Sequence, residues 1–248
     1  MTYNIHSCIG ADGRSSSQRI ADVILRAGAD IVALQEVDRG LRRTGLADQA
    51  REIAGNLGMY FCFHPSLFRE EGAYGIAILS RFPLYRVQSG ELPALPERKR
   101  REPRGALWVQ VHFPAAVVQV INTHFGLHRL ERNLQLMELL GPLWLDQSTC
   151  TPPCIVCGDF NASPRSLVYR RLTKRLIDVQ GHAAGWRPRK TWPSKYPIAR
   201  IDHIFVSPDC TVEQVSVVRD ELTCQASDHL PLVASVRFDL SEGLEPSK

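Results

Sequence analysis

The chain has 248 residues, 44% hydrophobic and 23% charged, and its 30 Lys and Arg face 26 Asp and Glu for a formal net charge of +4. This composition supports a sizeable core, so neither a disulfide framework nor a structural metal is required for stability, and no apolar run reaches the length of a membrane span. The opening MTYNIHSCIG has no basic stretch leading into an apolar one, so no secretory signal is expected, and the seven cysteines read as reduced thiols of a cytoplasmic protein.

In chain order, Thr2–Ile5 predicts a short strand carrying Asn4 near its end. After a polar loop from Gly10 to Ser17, Ser16 or Ser17 caps a helix whose Ile20, Val23, Ile24 and Ala27 form one stripe, with Gly28 as its stop. Asp30–Leu34 reads as a buried strand running into Gln35 and Glu36, and a second helix, Leu46–Leu57, ends at Gly58. Strands then dominate: Tyr60–Phe63, Ile76–Leu79, Leu84–Val87, Ala106–Val111 and Val117–Ile121. Between them PALPERKRREPR, from Pro93 to Arg104, reads as an exposed loop. A helix over 130–145, ended or kinked at Pro142, precedes the apolar Cys154-Ile155-Val156 and the last strands, Ile201–Val206, Val212–Val218 and Leu230–Phe238.

This alternation predicts an α/β fold with helices outside mixed sheets. One domain over residues 1–240, followed by a tail from 241 to 248, accounts for the absence of repeats and linkers. Each half has a strand ending in polar residues, a helix, and another such strand. Two such halves packed sheet on sheet make a four-layer α/β/β/α sandwich whose strand ends meet at one rim.

The strand ends carry the chemistry. VCGDFNAS, residues 156–163, runs a buried strand into Gly158, Asp159 and Asn161, residues that turns favour but that also present two polar side chains on one face. Asn4, Gln35, Glu36, Asn122, His124, Asp202, His203, Asp228 and His229 occupy comparable places. Each alone reads as a capped or satisfied polar group, but burial at strand after strand is costly unless the groups partner one another and a cation. Carboxylates and amides without a thiolate suit a hard cation such as Mg²⁺ or Mn²⁺. CTPPCIVC lacks the second cysteine pair that structural zinc requires. Such a set suits phosphoryl chemistry, with the metal screening phosphate and a carboxylate orienting water.

The segments TYNIH, ALQEV, YGIAILSRFP, NTHF, GDFNA, RIDHIFVS and SDHLP, in this order, resemble the endonuclease/exonuclease/phosphatase superfamily, whose members include exonuclease III-type enzymes, pancreatic-type deoxyribonuclease, sphingomyelinases and inositol polyphosphate 5-phosphatases. The resemblance runs from Asn4 to Pro231 and implies the four-layer sandwich. It implies Glu36 as the principal metal ligand, with Asn4 beside it and Asp228 as a further metal-side ligand. It implies Asp159 as the carboxylate that aligns or deprotonates the attacking water, with Asn161 as a transition-state or metal contact. His229 is implied to contact the scissile phosphate with Asp202 orienting it, and His124 to donate to a phosphate oxygen. Tyr74 and Arg104 stand where relatives place substrate contacts. His6 and Asp12 read as supporting residues or as surface and capping groups, and His203 as packing.

For the substrate, PIARIDHIF departs from the Pro-Ala-Trp-x-Asp-Arg block expected of 5-phosphatases, and Trp186 and Trp192 are not the adjacent pair of an abasic-site enzyme. The secretion and membrane hairpins of bacterial sphingomyelinases are not evident either. The run Arg98, Lys99, Arg100, Arg101 and Arg104, with Arg42-Arg43, would attract nucleic-acid phosphates, although a solvated loop accounts for the run equally. The expectation is a nuclease acting on DNA or RNA. The alternative is a phospholipid or small phosphoester substrate for the same site.

Overall fold

The computed structural model describes residues 1–69, 72–95, 102–183 and 185–238. The run Arg98–Arg101 and the predicted tail from 241 to 248 lie outside them.

The first helix forms as its stripe predicts. In α1 (Ser17–Ala27) the Ser16 hydroxyl accepts from the Arg19 N–H, and Gly28 closes the helix in the left-handed conformation. It lies between β1 (Thr2–Asn4) and β2 (Ile31–Arg39). The second helix, α2 (Gln49–Leu57), starts later than its apolar pattern suggests. Asp48 is the cap, and Leu46 sits exposed in the preceding turn at a φ of 63°.

The antiparallel strands β3 (Tyr60–Arg69), β4 (Gly72–Ser80), β5 (Leu84–Glu91) and β6 (Gly105–His112) follow, then β7 (Val117–His124). Helix α3 (Arg129–Leu139) stops short of the expected 145, because Gly141 and Pro142 end it. Past β8 (Cys154–Asp159) come α4 (Leu167–Leu172), β9 (Ile177–Asp178), α5 (Val179–His182), β10 (Asp202–Val206), β11 (Cys210–Val217), α6 (Glu221–Ala226) and β12 (Leu232–Phe238).

The strands form two six-stranded sheets, β11-β12-β1-β2-β4-β3 and β5-β6-β7-β8-β10-β9. Each has a parallel pair in its middle, β1 with β2 and β7 with β8, flanked by an antiparallel pair on either side. Side chains alternate across both sheets. Ile76, Ile78, Leu107, Val109, Val118 and Val120 fill the space between them, with Ala33, Cys157, Ile204 and Leu232. On the other face of the first sheet Leu34, Ala77 and Leu79 pack under Ile20, Ile24 and Ile53 of α1 and α2. The second buries Trp108, Ile121, Val156 and Phe205 under Leu136, Leu139, Val168 and Leu172 of α3 and α4. Burial of each such side chain is worth about 1.5–3 kcal/mol. The result is four layers, helix on sheet on sheet on helix.

Gln35 and Asn122 tie the sheets together. Gln35 Nε2 donates to Asn122 Oδ1 at 2.7 Å, and Asn122 Nδ2 donates to the carbonyls of Leu34 and Ala77. These two strand-end amides are thus satisfied beneath the rim. Among the described residues no helix is long and apolar enough to cross a membrane.

Candidate active site

Three backbone irregularities bring the strand-end side chains together. A bulge between Gln35 and Val37 interrupts the β2–β4 register, and the bulged residue, Glu36, has a φ of 57°. On β8, Gly158 has a φ of 145°, and a Cβ there would lie 1.9 Å from the Thr123 carbonyl oxygen. Glycine therefore lets β8 close on β7 immediately before Asp159. Finally, the Asn161 N–H donates to Asp159 Oδ1 at 2.9 Å, and the Asn161 amide donates to the Phe125 carbonyl. The turn expected from GDFNAS is present, and it fixes the Asp159 carboxylate.

Asp159 Oδ2 is the centre of the cluster. Asn4 Nδ2 donates to it at 3.1 Å and also to Glu36 Oε1 at 2.9 Å, so one amide joins the two sheets' carboxylates. His124 Nε2 lies 3.5 Å from the same oxygen and His229 Nε2 3.8 Å from it. Register explains the first approach, since His124 pairs with Asp159 across β7–β8, and Asp202 pairs with Asp159 across β8–β10.

The imidazoles are held in defined states. Arg104 Nη1 donates to His124 Nδ1 at 3.0 Å, which leaves the His124 proton on Nε2. His229 Nδ1 bonds Asp202 Oδ2 at 3.0 Å, and Thr191 Oγ1 donates to that same oxygen. Burial would lower His229, but the Asp202 charge and hydrogen bond, with Asp159 and Asp228, raise it to about 10. His124 goes the other way, held well below the ordinary histidine value by burial, Arg104 and His229. One imidazole is cationic and the other neutral, and both present an Nε2–H to the centre.

The carboxylates are displaced upward. Burial and the neighbouring Asp202 charge raise Asp159 to about 7, against His229, the Asn161 N–H and the Asn4 amide. Glu36 is also raised, by burial first and by Glu102 and Asp228, with the Asn4 hydrogen bond and His229 opposing. Glu36 and Asp228 thus share a region rich in negative charge, and Asp202 Oδ1 is buried without a partner among the described residues. Oxygen donors with an orphaned carboxylate oxygen fit a hard divalent cation. One ligand atom each from Asp159, Asp202 and His229 also lies within 4.8 Å of the others. The Asp202 carboxylate keeps His229 in its protonated form, however, so that ring is not free to ligate a cation.

Ten predicted residues can be placed. Asn4, Glu36, His124, Asp159, Asn161, Asp202 and His229 meet directly. Arg104 joins through His124 and forms an ion pair with Glu102 at 2.9 Å. Tyr74 lies buried under the Arg43 guanidinium, 5.5 Å from its ring centre, and is raised by burial and by Glu36 and Glu102. Asp228 stands at the edge, half exposed, accepting from Trp192 Nε1 at 3.2 Å and 4.0 Å from His6 Nδ1. Asp12 instead pairs with Arg19 away from the cluster, and His203 packs against Phe160 and Phe205 with its Nε2 on the Ala162 carbonyl.

Two supporting groups escape sequence reasoning. Asp38, buried two residues past Glu36, holds Arg43 through Nε and Nη2 and accepts from Ser7. Thr191 and Trp192 supply hydrogen bonds to Asp202 and Asp228 from a loop whose sequence signals only exposed aromatics.

The sequence model of the Endonuclease/Exonuclease/phosphatase family matches residues 1–229. Uncharacterized protein YbhP of Escherichia coli (strain K12) is 26% identical over 248 residues, covering 96% of this chain and 95% of that one. A functionally unknown conserved protein from Enterococcus faecalis V583 has the same fold, with a TM-score of 0.77 at 23% identity over 96% of this chain and 98% of its own. The mannosyl-6-phosphatase of Bacteroides thetaiotaomicron VPI-5482 matches with a TM-score of 0.75 at 21% identity, over 96% and 98%.

Proposed function

The chain belongs to the endonuclease/exonuclease/phosphatase family, and on that premise we propose that it is a Mg²⁺- or Mn²⁺-dependent phosphodiester hydrolase that cleaves by attack of an activated water. The observation carrying this reading is the single oxygen, Asp159 Oδ2, ringed by the Asn4 amide and two imidazole Nε2 atoms.

Each group then has a chemical task. Glu36, Asn4 and Asp228 would hold the cation, which when bound would supply charge to screen the phosphate and stabilise the departing oxygen. Asp159, raised to about 7, takes the proton from water as the new O–P bond forms and the ester P–O bond breaks. His229, kept cationic by Asp202, and His124, kept as the Nε2–H form by Arg104, donate to the non-bridging oxygens as negative charge builds on them. Asn161 locks the Asp159 carboxylate through its backbone N–H, so the base is oriented before substrate arrives.

Nucleic acid is the substrate class we propose first, on the basic residues that border the site in sequence and on Arg43 and Arg104 beside it. A phospholipid or small phosphoester is the second reading. It is favoured by how the loop aromatics are engaged: Trp186 lies under Arg189, Trp192 is bonded to Asp228, and the exposed Tyr196 lies under the Lys195 ammonium, 5.9 Å from its ring centre. A panel of plasmid, single-stranded DNA, RNA, lipid headgroup esters and bis-p-nitrophenyl phosphate, run with and without EDTA, tests both. Metal-dependent hydrolysis that disappears in Asp159→Ala and His229→Ala supports the proposal, and metal-independent cleavage overturns it. A blank on every nucleic acid with turnover of a headgroup ester selects the second reading.

A further inference from the structure

Helix α3 is apolar on two opposite sides. Its inner side buries Leu136 and Leu139 in the core, and its buried Gln135 accepts from the Gly126 N–H. Its outer side carries Leu130, Leu134 and Met137 at i, i+4 and i+7, a single stripe along the helix. These side chains are 54%, 43% and 57% exposed, and the stripe continues into Leu127 and Leu143 beyond the helix ends, at 69% and 53%. A solvated helix face normally holds charges at these positions, and a row of apolar side chains marks a surface that is covered in use.

The surrounding charge indicates what covers it. Arg129 and Arg132 lie on α3 itself, and Arg132 Nη1 donates to the carbonyls of Gly126 and Leu127, fixing the segment that carries Leu127. Helix α4 packs alongside α3 and exposes Arg170 and Arg171, with Lys174 just past its end. From Ser163 to Leu176 there are five basic residues and no acidic one, and of the five Arg175 is ion-paired with Asp146 at 2.6 Å. On α3 the buried Glu131 and the half-buried Glu138 are the acidic residues. A second copy of the chain would bring the same positive charge to the contact, so face-to-face self-association is opposed. An anionic bilayer surface accepts the apolar stripe among its acyl chains and the arginines among its headgroups.

We infer that the outer face of α3, flanked by the arginines of α4, is a docking surface for an anionic lipid membrane. Leu127 follows Phe125, whose backbone N–H donates to the Asp159 carbonyl and whose carbonyl accepts from the Asn161 amide. The stripe therefore begins at the rim of the candidate active site, and docking holds that rim beside the headgroup phosphates. The inference is independent of the reaction performed there.

Co-sedimentation of the full chain with vesicles of phosphatidylcholine, with and without phosphatidylglycerol, tests it. The protein should sediment with the phosphatidylglycerol vesicles only, and the bound fraction should fall with added salt. The exposed substitutions Leu130→Gln, Leu134→Gln and Met137→Gln together should abolish sedimentation without changing the circular-dichroism spectrum. Reversing charge with Arg170→Glu and Arg171→Glu should lower the partition by at least about tenfold. Absence of sedimentation, or equal sedimentation of the triple variant, overturns the inference. So does a dimer by light scattering that the triple variant converts to monomer, since that outcome assigns the stripe to a second copy.

Discussion

The two sheets have the same plan, a parallel pair between two antiparallel pairs, yet they deliver differently partnered carboxylates to the shared rim. The first sheet contributes Asn4 and Glu36, a carboxylate bonded to an amide in a negatively charged neighbourhood. The second contributes His124, Asp159 and Asp202, and its carboxylates are answered by imidazoles, with His229 arriving from the segment before β12. One architecture thus supplies a side where a carboxylate is answered by an amide and a side where carboxylates are answered by imidazoles. On the proposed reading the cation belongs to the first sheet and the proton transfer to the second. Backbone strain is divided in the same way: Glu36 reaches the rim through a bulge at positive φ, whereas Asp159 reaches it through a glycine that no other residue can replace.

The largest effect that would break this division is on rate. Asp159→Ala should lower kcat on bis-p-nitrophenyl phosphate by about 10²–10⁴-fold in saturating Mg²⁺, with the metal concentration at half-maximal rate moving little. A shift confined to the metal requirement would place Asp159 on the metal side instead. Glu36→Gln should show the complementary behaviour, raising the Mg²⁺ concentration for half-maximal rate by roughly tenfold or more, read from a metal titration.

Stability separates the two strained positions. Gly158→Ala forces a Cβ to 1.9 Å from the Thr123 carbonyl and should cost about 3 kcal/mol or more in urea denaturation. Glu36→Gly removes a side chain from a positive-φ position and should leave stability unchanged or raise it by about 1 kcal/mol while the metal response is lost. A destabilised Glu36→Gly would show that Glu36 holds the fold and not the ion.

The smallest effect is a displacement of the pH profile. Asp159 acts deprotonated, so activity rises as pH passes through about 7, and His229 acts protonated, so activity falls near pH 10. A bound cation moves both limbs to lower pH. Asp202→Asn removes the charge that raises both His229 and Asp159, so both limbs should move to lower pH, and an unmoved alkaline limb would remove His229 from the proposed role.

Much of this was readable along the chain because local rules govern it. The caps at Ser16 and Gly28, the stripe of α1 and the turn after Asp159 follow from side chains acting within a few residues. The helices α4, α5 and α6 span 6, 4 and 6 residues, too few for a periodic stripe to stand out. The end of α3 and the start of α2 shifted because Gly141-Pro142 and the Asp48 cap outweigh the apolar spacing that would extend them. Arg43 and Thr191 were not assigned as supporting groups because Asp38 and Asp202 reach them through the folded chain, where sequence spacing carries no signal.

The order of motifs by itself determined the family, the sandwich and the polar residues that end its strands, since alternation, turns and motifs are written in adjacent residues. Only the tertiary structure decided that Asn4 bridges Glu36 to Asp159, 155 residues away in the case of Asp159, that one imidazole is cationic and the other neutral, and that the outer stripe of α3 is uncovered by the described residues. Those outcomes depend on which groups are buried together, and burial sets both the protonation of a side chain and the worth of its partner.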